Sequence, residues 1–286
     1  METPVLNNHI AVLALGACAL GAGALSSFAF AADQPLHRLS PTSAAEEPEP
    51  RFELFSGVNT TTQHSWDNYF EGTAAVWGTL EKSGLRGRVS FGFGGYDYPI
   101  PSKDVNLHWS DPCPPWSSEI SRIWGREHGA SFLLGYEFVA KRWSLLGLVG
   151  GDVLHDSLSQ PDPENEVQGT KWGLKTVAEL DSFPTDKTMF YAYGSYSTAF
   201  RTAELEIKPG YLAFEHLSIG TLSIGKLYVG PHAAFFSDSN NQVWKAGAQV
   251  TAAEIGPFHA TVAVGYAHDQ LSGGGAYGLL ETSVRF

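Results

Sequence analysis

The chain has 286 residues, enough for one large domain or two small ones, and a formal charge of −12 with 31 glycines, 13% aromatics and two residues each of Cys and Met. Such an acidic balance excludes a nucleic-acid surface, which needs basic side chains, and a polybasic patch for anionic lipid. Abundant glycine and aromatics among few strong helix formers point to strands.

In chain order, a mostly apolar stretch runs from Ile10 to Phe30 and ends in Ala29-Phe30-Ala31, a small-x-small cleavage pattern. Residues 1–31 therefore read as a secretory signal peptide, with the mature chain beginning at Ala32, although Glu2 and the lack of Lys or Arg before Ile10 depart from the usual leader. A retained membrane anchor is the rival reading. Cys18 loosely matches a lipoprotein-processing position, but the apolar stretch continues past it, which disfavours lipidation. With Cys18 removed, Cys113 stands alone and no internal disulfide can support the fold. Residues 32–50 are rich in Pro, Glu and Ser and poor in large apolar side chains, so they read as a disordered periplasmic tail.

From residue 51 to 286 the pattern changes to segments of about ten residues in which apolar and polar side chains alternate. Leu85, Val89, Phe91 and Phe93 share one face, and Arg86, Arg88, Ser90, Gly92 and Gly94 the other. Trp172, Leu174, Ala178 and Leu180 oppose Lys171, Lys175, Glu179 and Asp181, and Leu205, Ile207, Tyr211 and Ala213 oppose Glu204, Glu206 and Lys208. A period of two means strands with one apolar face. The pattern predicts about twelve strands, near 52–59, 70–80, 85–96, 127–139, 142–153, 169–182, 187–198, 203–214, 217–235, 242–255, 257–268 and 276–286. Short connections at 81–84, 141–142, 184–186, 215–216 and 256–257 alternate with longer ones, of which 97–126 and 154–168 are the longest. Alternating short and long turns characterise a transmembrane antiparallel up-and-down β-barrel of the bacterial outer membrane, with tight periplasmic turns and larger external loops.

A lipocalin-like barrel or β-sandwich would show the same periodicity with the apolar face inward. Two features favour the membrane barrel. The chain ends in Phe286 after alternating Leu280, Thr282 and Val284, a terminus that resembles the signal read by barrel-assembly machinery. Aromatics also gather near segment ends, at Trp66, Tyr69, Phe70, Tyr96, Tyr98, Trp143, Tyr191, Tyr193, Trp244, Phe258 and Tyr266, as girdles at two lipid interfaces require. The expected partner is thus outer-membrane lipid.

Little in the sequence suggests catalysis. Gly273 to Gly278 fits the string G-x-G-x-x-G but leads into a strand, so no helix terminus is available for a pyrophosphate, and the stretch reads as an external loop. There is no G-x-S-x-G, no H-E-x-x-H and no cysteine pair, hence no expected cofactor or metal. Two hydrolase candidates, His155 with Asp156 and His268 with Asp269, are adjacent pairs that a strand sends to opposite faces. The predicted lumen carries both signs of charge: Arg86, Arg88, Lys171, Lys175, Lys208, Lys245 and Arg285 against Glu137, Asp152, Glu179, Asp181, Glu204, Glu206 and Glu281. Mutual pairing that stiffens or closes the lumen is favoured over a selective channel, which concentrates one sign. In the longest loop Trp109, Trp116 and Trp124 are candidate glycan contacts, set against the plainer reading that they fold the loop over the mouth.

The stretch Ser157 to Phe183, with Pro161-Asp162-Pro163, Asn165, Gln168-Gly169, Gly173-Leu174-Lys175 and Glu179, resembles the central signature of the cellulose biosynthesis protein BcsS family. Residues 195–211 are similar to the segment that follows it, and the segments FSGVNTTT and GLRGRVSFGFGGYDY to the family's opening strands. The insert near 100–124 and Leu180-Asp181, where an aromatic would follow the acidic residue, depart from the pattern. The resemblance implies a non-enzymatic outer-membrane component of bacterial cellulose synthesis, acting in export or surface anchoring of the glucan, with cellulose or other synthesis components as partners. It brings no catalytic residues. A general small-solute porin and an outer-membrane hydrolase are the alternatives.

Overall fold

The computed structural model describes residues 49–99, 122–219, 222–255 and 258–286. The leader, nearly all of the tail, and the loop segment carrying Trp109, Cys113 and Trp116 lie outside the described residues. Twelve long antiparallel strands form one closed sheet: β1 (Phe52–Thr61), β2 (Ser65–Ala75), β3 (Gly84–Pro99), β4 (Arg122–Val139), β5 (Trp143–Leu158), β6 (Gly169–Thr185), β7 (Thr188–Ser197), β8 (Ala203–Phe214), β11 (Leu227–Ser237), β12 (Gln242–Ile255), β13 (Phe258–Asp269) and β14 (Gly273–Arg285). Two short strands, β9 (Leu217–Ile219) and β10 (Leu222–Ile224), pair with each other between β8 and β11. Neighbours in sequence are neighbours in the sheet, and β1 pairs with β14 from Glu53↔Arg285 to Thr61↔Tyr277, so the ring closes without an edge. Phe286 completes the seam by exchanging backbone hydrogen bonds with Phe52, the two rings stacking at 5.9 Å.

Each strand shows side chains alternately to the interior and to the outer wall, and the apolar set faces out. Leu85, Val89 and Phe91 on β3, Phe132, Leu134 and Phe138 on β4, and Leu174 on β6 are all exposed, while Arg86 and Arg88 are completely buried. In water this would leave oil on the surface and charge in the core, the reverse of a soluble barrel. Hydrocarbon around the wall removes the contradiction. On β4 the apolar outward run from Ala130 to Phe138 covers nine residues. That is about 27 Å along the strand and about 21 Å along the axis at a tilt of ~40°, close to the band of ~25 Å such barrels present to lipid.

Aromatic side chains rim this band. Phe52, Tyr136, Phe138, Trp143, Tyr211, Phe214, Phe258 and Phe286 stand near the end where β1 begins and β14 finishes, and Trp124, Trp172, Trp244 and Tyr266 near the far end. The expected girdle is corrected in one respect. Tyr69, Tyr96, Tyr98, Tyr191 and Tyr193 are buried in the interior, because they share strand parity with inward residues such as Glu71 and Asp67. Two of these rings need glycine opposite them. A Cβ on Gly57 would fall 2.1 Å from the Tyr69 ring, and one on Gly125 2.3 Å from the Tyr96 ring.

Four further sequence expectations shift. The second strand lies at 65–75 rather than 70–80, since Trp66 and Asp67 continue the β1 pairing and the chain turns after Ala75. The predicted turn at 215–216 is instead the β9–β10 excursion, so the long strand begins at Leu227 and not at 217. The two largest loops are shorter than expected, because β3 runs to Pro99, β4 starts at Arg122 and β5 reaches Leu158, with pairing maintained beyond the apolar band. Finally, Gly273 to Gly278 is strand, not loop: it opens β14 opposite Asp269 to Val264.

Candidate functional site

The interior is the chemically distinctive part of the molecule. It is built as stacked layers of ionic groups, each delivered by strand parity and joined both between neighbouring strands and across the ring. Nearest the termini, Arg285 Nε donates to Glu53 Oε1 at 2.9 Å, and Arg86 Nε to Glu137 Oε2 at 2.7 Å. The turn between β2 and β3 folds under this layer, burying Leu80 and offering the Leu80 and Lys82 carbonyls to the Arg86 guanidinium.

The middle layer holds two chords. Arg88 on β3 reaches Glu179 on β6 through both of its terminal nitrogens and has Glu71 on β2 at 3.5 Å, while Thr73 accepts from its Nε at 3.1 Å. Lys208 on β8 donates to Glu281 on β14 at 2.9 Å and lies 3.6 Å from Glu206, with Nζ 4.6 Å from the Tyr191 ring centroid. Tyr69 Oη donates to Glu281 at 3.0 Å. His232 on β11 joins Glu206 through Nε2 and Tyr277 Oη, 2.6 Å away, through Nδ1. Desolvating so many charges is costly, and only opposite charge with near-complete hydrogen bonding offsets it. All these groups are at most 4% exposed, so the layer is not wetted as the lining of an open channel would be.

Towards the far end the balance turns acidic. Asn59 donates to Asp67 at 2.9 Å and Ser195 to Glu204 at 3.2 Å, with Lys175, Lys245 and Glu127 on the same inner face. Above them the mouth is covered by the connection between β5 and β6. Tyr98 Oη donates to Asp162 at 2.7 Å and accepts from Asn165 Nδ2 at 3.1 Å. Asn165 Oδ1 caps the Val167 amide at 2.7 Å, and Asn240 Oδ1 accepts from the Glu166 amide at 3.2 Å, tying the cover to the β11–β12 turn. Beneath it Tyr96 donates to Asp156 at 2.8 Å. A cavity of about 20 Å³ remains between Tyr96, Tyr98, Glu127, Asn165, Phe236 and Asp238, room for a single water molecule. In that turn burial pushes the Asp238 carboxyl up to about 6, against the Asn240 and Asn241 amides that pull it down.

Of the residues expected to line the lumen, Arg86, Arg88, Lys175, Glu179, Asp181, Glu204, Glu206 and Lys208 are buried inside, and Arg285 closes the bottom with Glu53. Lys171 is the exception. It shares their parity but is exposed at the rim, because β7 ends opposite Lys175, and its ammonium sits 4.5 Å from the Phe200 ring centroid. Trp124 belongs to β4 rather than to the loop and is exposed beside the wall. His155 and His268 face outward while Asp156 and Asp269 face inward, so neither pair meets. The His232–Glu206–Tyr277 chain was not anticipated, since its members are scattered along the sequence; only strand parity beside Glu206 and the even spacing of Tyr277 from Glu281 hinted at it. Among the described residues no group of three or more His, Cys, Asp or Glu is arranged to hold a metal ion.

The family described as cellulose biosynthesis protein BcsS matches residues 54–286. None of the curated proteins compared with the chain matches it. Among solved structures, LpxR from Salmonella typhimurium is similar at 8% identity and a TM-score of 0.42, covering 82% of this chain and 100% of that one. The translocator domain of autotransporter NalP from Neisseria meningitidis is similar at 11% identity and 0.41, covering 84% and 90%. The COG4313 outer membrane channel from Pseudomonas putida F1 is similar at 10% identity and 0.39, covering 87% and 100%. Likeness this distant says nothing of what the chain binds.

Proposed function

Because the chain belongs to the cellulose biosynthesis protein BcsS family, we propose that it serves bacterial cellulose production as a non-enzymatic barrel standing in the outer membrane. The observation that carries this reading is the polarity of the ring, with an exposed apolar wall between aromatic rims and an interior of buried ion pairs. Only a lipid surrounding makes that arrangement stable. Both chain ends then face the periplasm, and the cover over the mouth faces outside. Phe286, bound into the seam, is where barrel-assembly machinery takes hold of the chain.

The filled interior bears on how the barrel assists. A glucan chain is wider than a water molecule, and the layer of Arg88, Lys208 and His232 is not open even to water. The polysaccharide is therefore handled at the outer face, where the loops hold or anchor it, rather than threaded through the ring. Deletion of the gene, followed by dye binding for total cellulose and by microscopy for fibre attachment, tests this: attachment is expected to fall, and unchanged output with unchanged attachment overturns it. Planar-bilayer conductance separates the general porin, since a steady open channel indifferent to cello-oligosaccharides would favour solute passage. The hydrolase reading loses its basis in the outward-facing His155 and His268.

A further inference from the structure

The outer wall gathers basic side chains on β4 and β5, with His268 standing apart on β13. Outward positions of the twelve long strands carry apolar, small or hydroxyl side chains, and the Asn68 amide, through the apolar band. Past the level of Trp172, and on the band side of Trp124, β4 and β5 bring three basic groups together: Arg126, His128 and His155. The sheet register explains the grouping. Ala130, Val153 and Trp172 are paired across β4, β5 and β6; the next outward step pairs His128, His155 and Thr170, and the one after pairs Arg126 with Ser157. Each step is about 7 Å along the strand, so the histidines sit just past the Trp172 level, where headgroups replace hydrocarbon.

The three side chains are arranged for an external anion. The imidazoles of His128 and His155 lie 4.7 Å apart between ring centroids, and the His155 Nδ1 contact with Thr170 Oγ1 at 2.7 Å occupies one nitrogen and leaves Nε2 free of partners among the described residues. Arg126 has no carboxylate in contact among the described residues, although the chain as a whole carries a charge of −12. The neighbouring acid on this face, Asp97, is already taken by Arg122 and His64. A fork of guanidinium donors beside two imidazole N–H groups matches the oxygens of a phosphate ester.

We propose that Arg126, His128 and His155 form a binding site for the phosphate of an outer-leaflet lipid headgroup, holding one lipid against the β4–β5 face. The proposal rests on the membrane reading above. Its occupant is a lipid and not free phosphate, because the Trp172 side chain, 80% exposed one step below, offers a surface for an acyl chain or sugar attached to that phosphate.

The test uses the full-length protein reconstituted in phosphatidylcholine bilayers with trace spin-labelled phosphatidic acid or spin-labelled phosphatidylcholine, reading the motionally restricted fraction by electron paramagnetic resonance. Wild type is expected to prefer phosphatidic acid by about threefold, the ratio that a partly screened charge contact supports. The triple variant R126Q/H128Q/H155Q is expected to fall to equal association, while H268Q, an exposed histidine on β13 distant from the site, keeps the preference. Equal association in wild type, or an unchanged preference in the triple variant, overturns the site. Loss of the preference on adding millimolar inorganic phosphate overturns the choice of a lipid. Absence of any restricted lipid, with either label, overturns the membrane reading and the site together, which distinguishes the two failures.

Discussion

Arg88 and Glu179 come from strands that are not neighbours, β3 and β6, yet both ends of the guanidinium meet both carboxylate oxygens inside the ring. The pair is a strut across the interior, and each member is buried. Truncating Arg88 takes the cation from both Glu179 and Glu71, while truncating Glu179 leaves the guanidinium to Glu71 at 3.5 Å; removing one partner of such a buried pair costs about 3–5 kcal/mol. Glu179→Ala is expected to lower the unfolding free energy in lipid vesicles by that amount, and Arg88→Ala by a similar one. The double change should cost less than the sum, and an additive result in urea titrations would show that the two do not act as a unit.

The wall makes a second, independent prediction. Leu134 faces outward within the apolar band of β4 and is 49% exposed. In a soluble barrel an arginine there would be harmless. In lipid, Leu134→Arg is expected to cost about 2–4 kcal/mol, readable as a shift of the urea midpoint in vesicles, and Leu134→Ala much less.

One hydroxyl makes two of the bonds that hold the cover over the mouth. Tyr98 Oη serves Asp162 and Asn165 at once. Tyr98→Phe removes both bonds while keeping the ring that stacks on Tyr96, at a cost of about 1–3 kcal/mol for groups left without partners. Limited proteolysis between Ser159 and Gln168 should become faster in the variant, with the barrel itself still resistant.

Asp238 supplies a pH dependence whose sign can be worked out. Its carboxyl is raised from 3.8 to about 6, so the folded turn disfavours the ionised form. The folded state therefore holds more protons than the unfolded one between these values, and the stability due to this group is full below 3.8 and is lost as pH rises through about 6. Asp238→Asn keeps an acceptor for the Asn240 and Asn241 amides and removes the ionisation. Thermal unfolding should show the variant ahead of wild type at about pH 7.5 and level with it at about pH 4. A constant offset across that range would contradict the assignment.

What the sequence made legible was parity. Arg86, Arg88, Glu204, Glu206 and Lys208 could be placed inside from alternation alone, because a two-residue period assigns a face without any knowledge of neighbours. Partners were not legible. Lys208 and Glu281 are 73 positions apart and meet only because the ring brings β8 and β14 to within reach of one another's side chains. The tyrosines show how local signals mislead: clustering suggested an interface role for Tyr69 and Tyr191, whereas counting from Glu71 and Met189 puts them inside. Strand ends escape the apolar pattern where pairing outruns it, as at Pro99 and Leu158, since hydrogen bonding between strands does not require lipid.

The seam has a consequence for how the chain could be rewired. The Arg51 amide donates to the Phe286 carbonyl at 2.9 Å, so the residue before β1 and the residue after β14 sit side by side. A brief peptide bridge between these two residues would make the barrel portion an unbroken loop, and new ends could be cut between Leu271 and Ser272, past the Gln270 amide that still donates to the Gln242 carbonyl. The closed sheet, as a hoop, has no first strand.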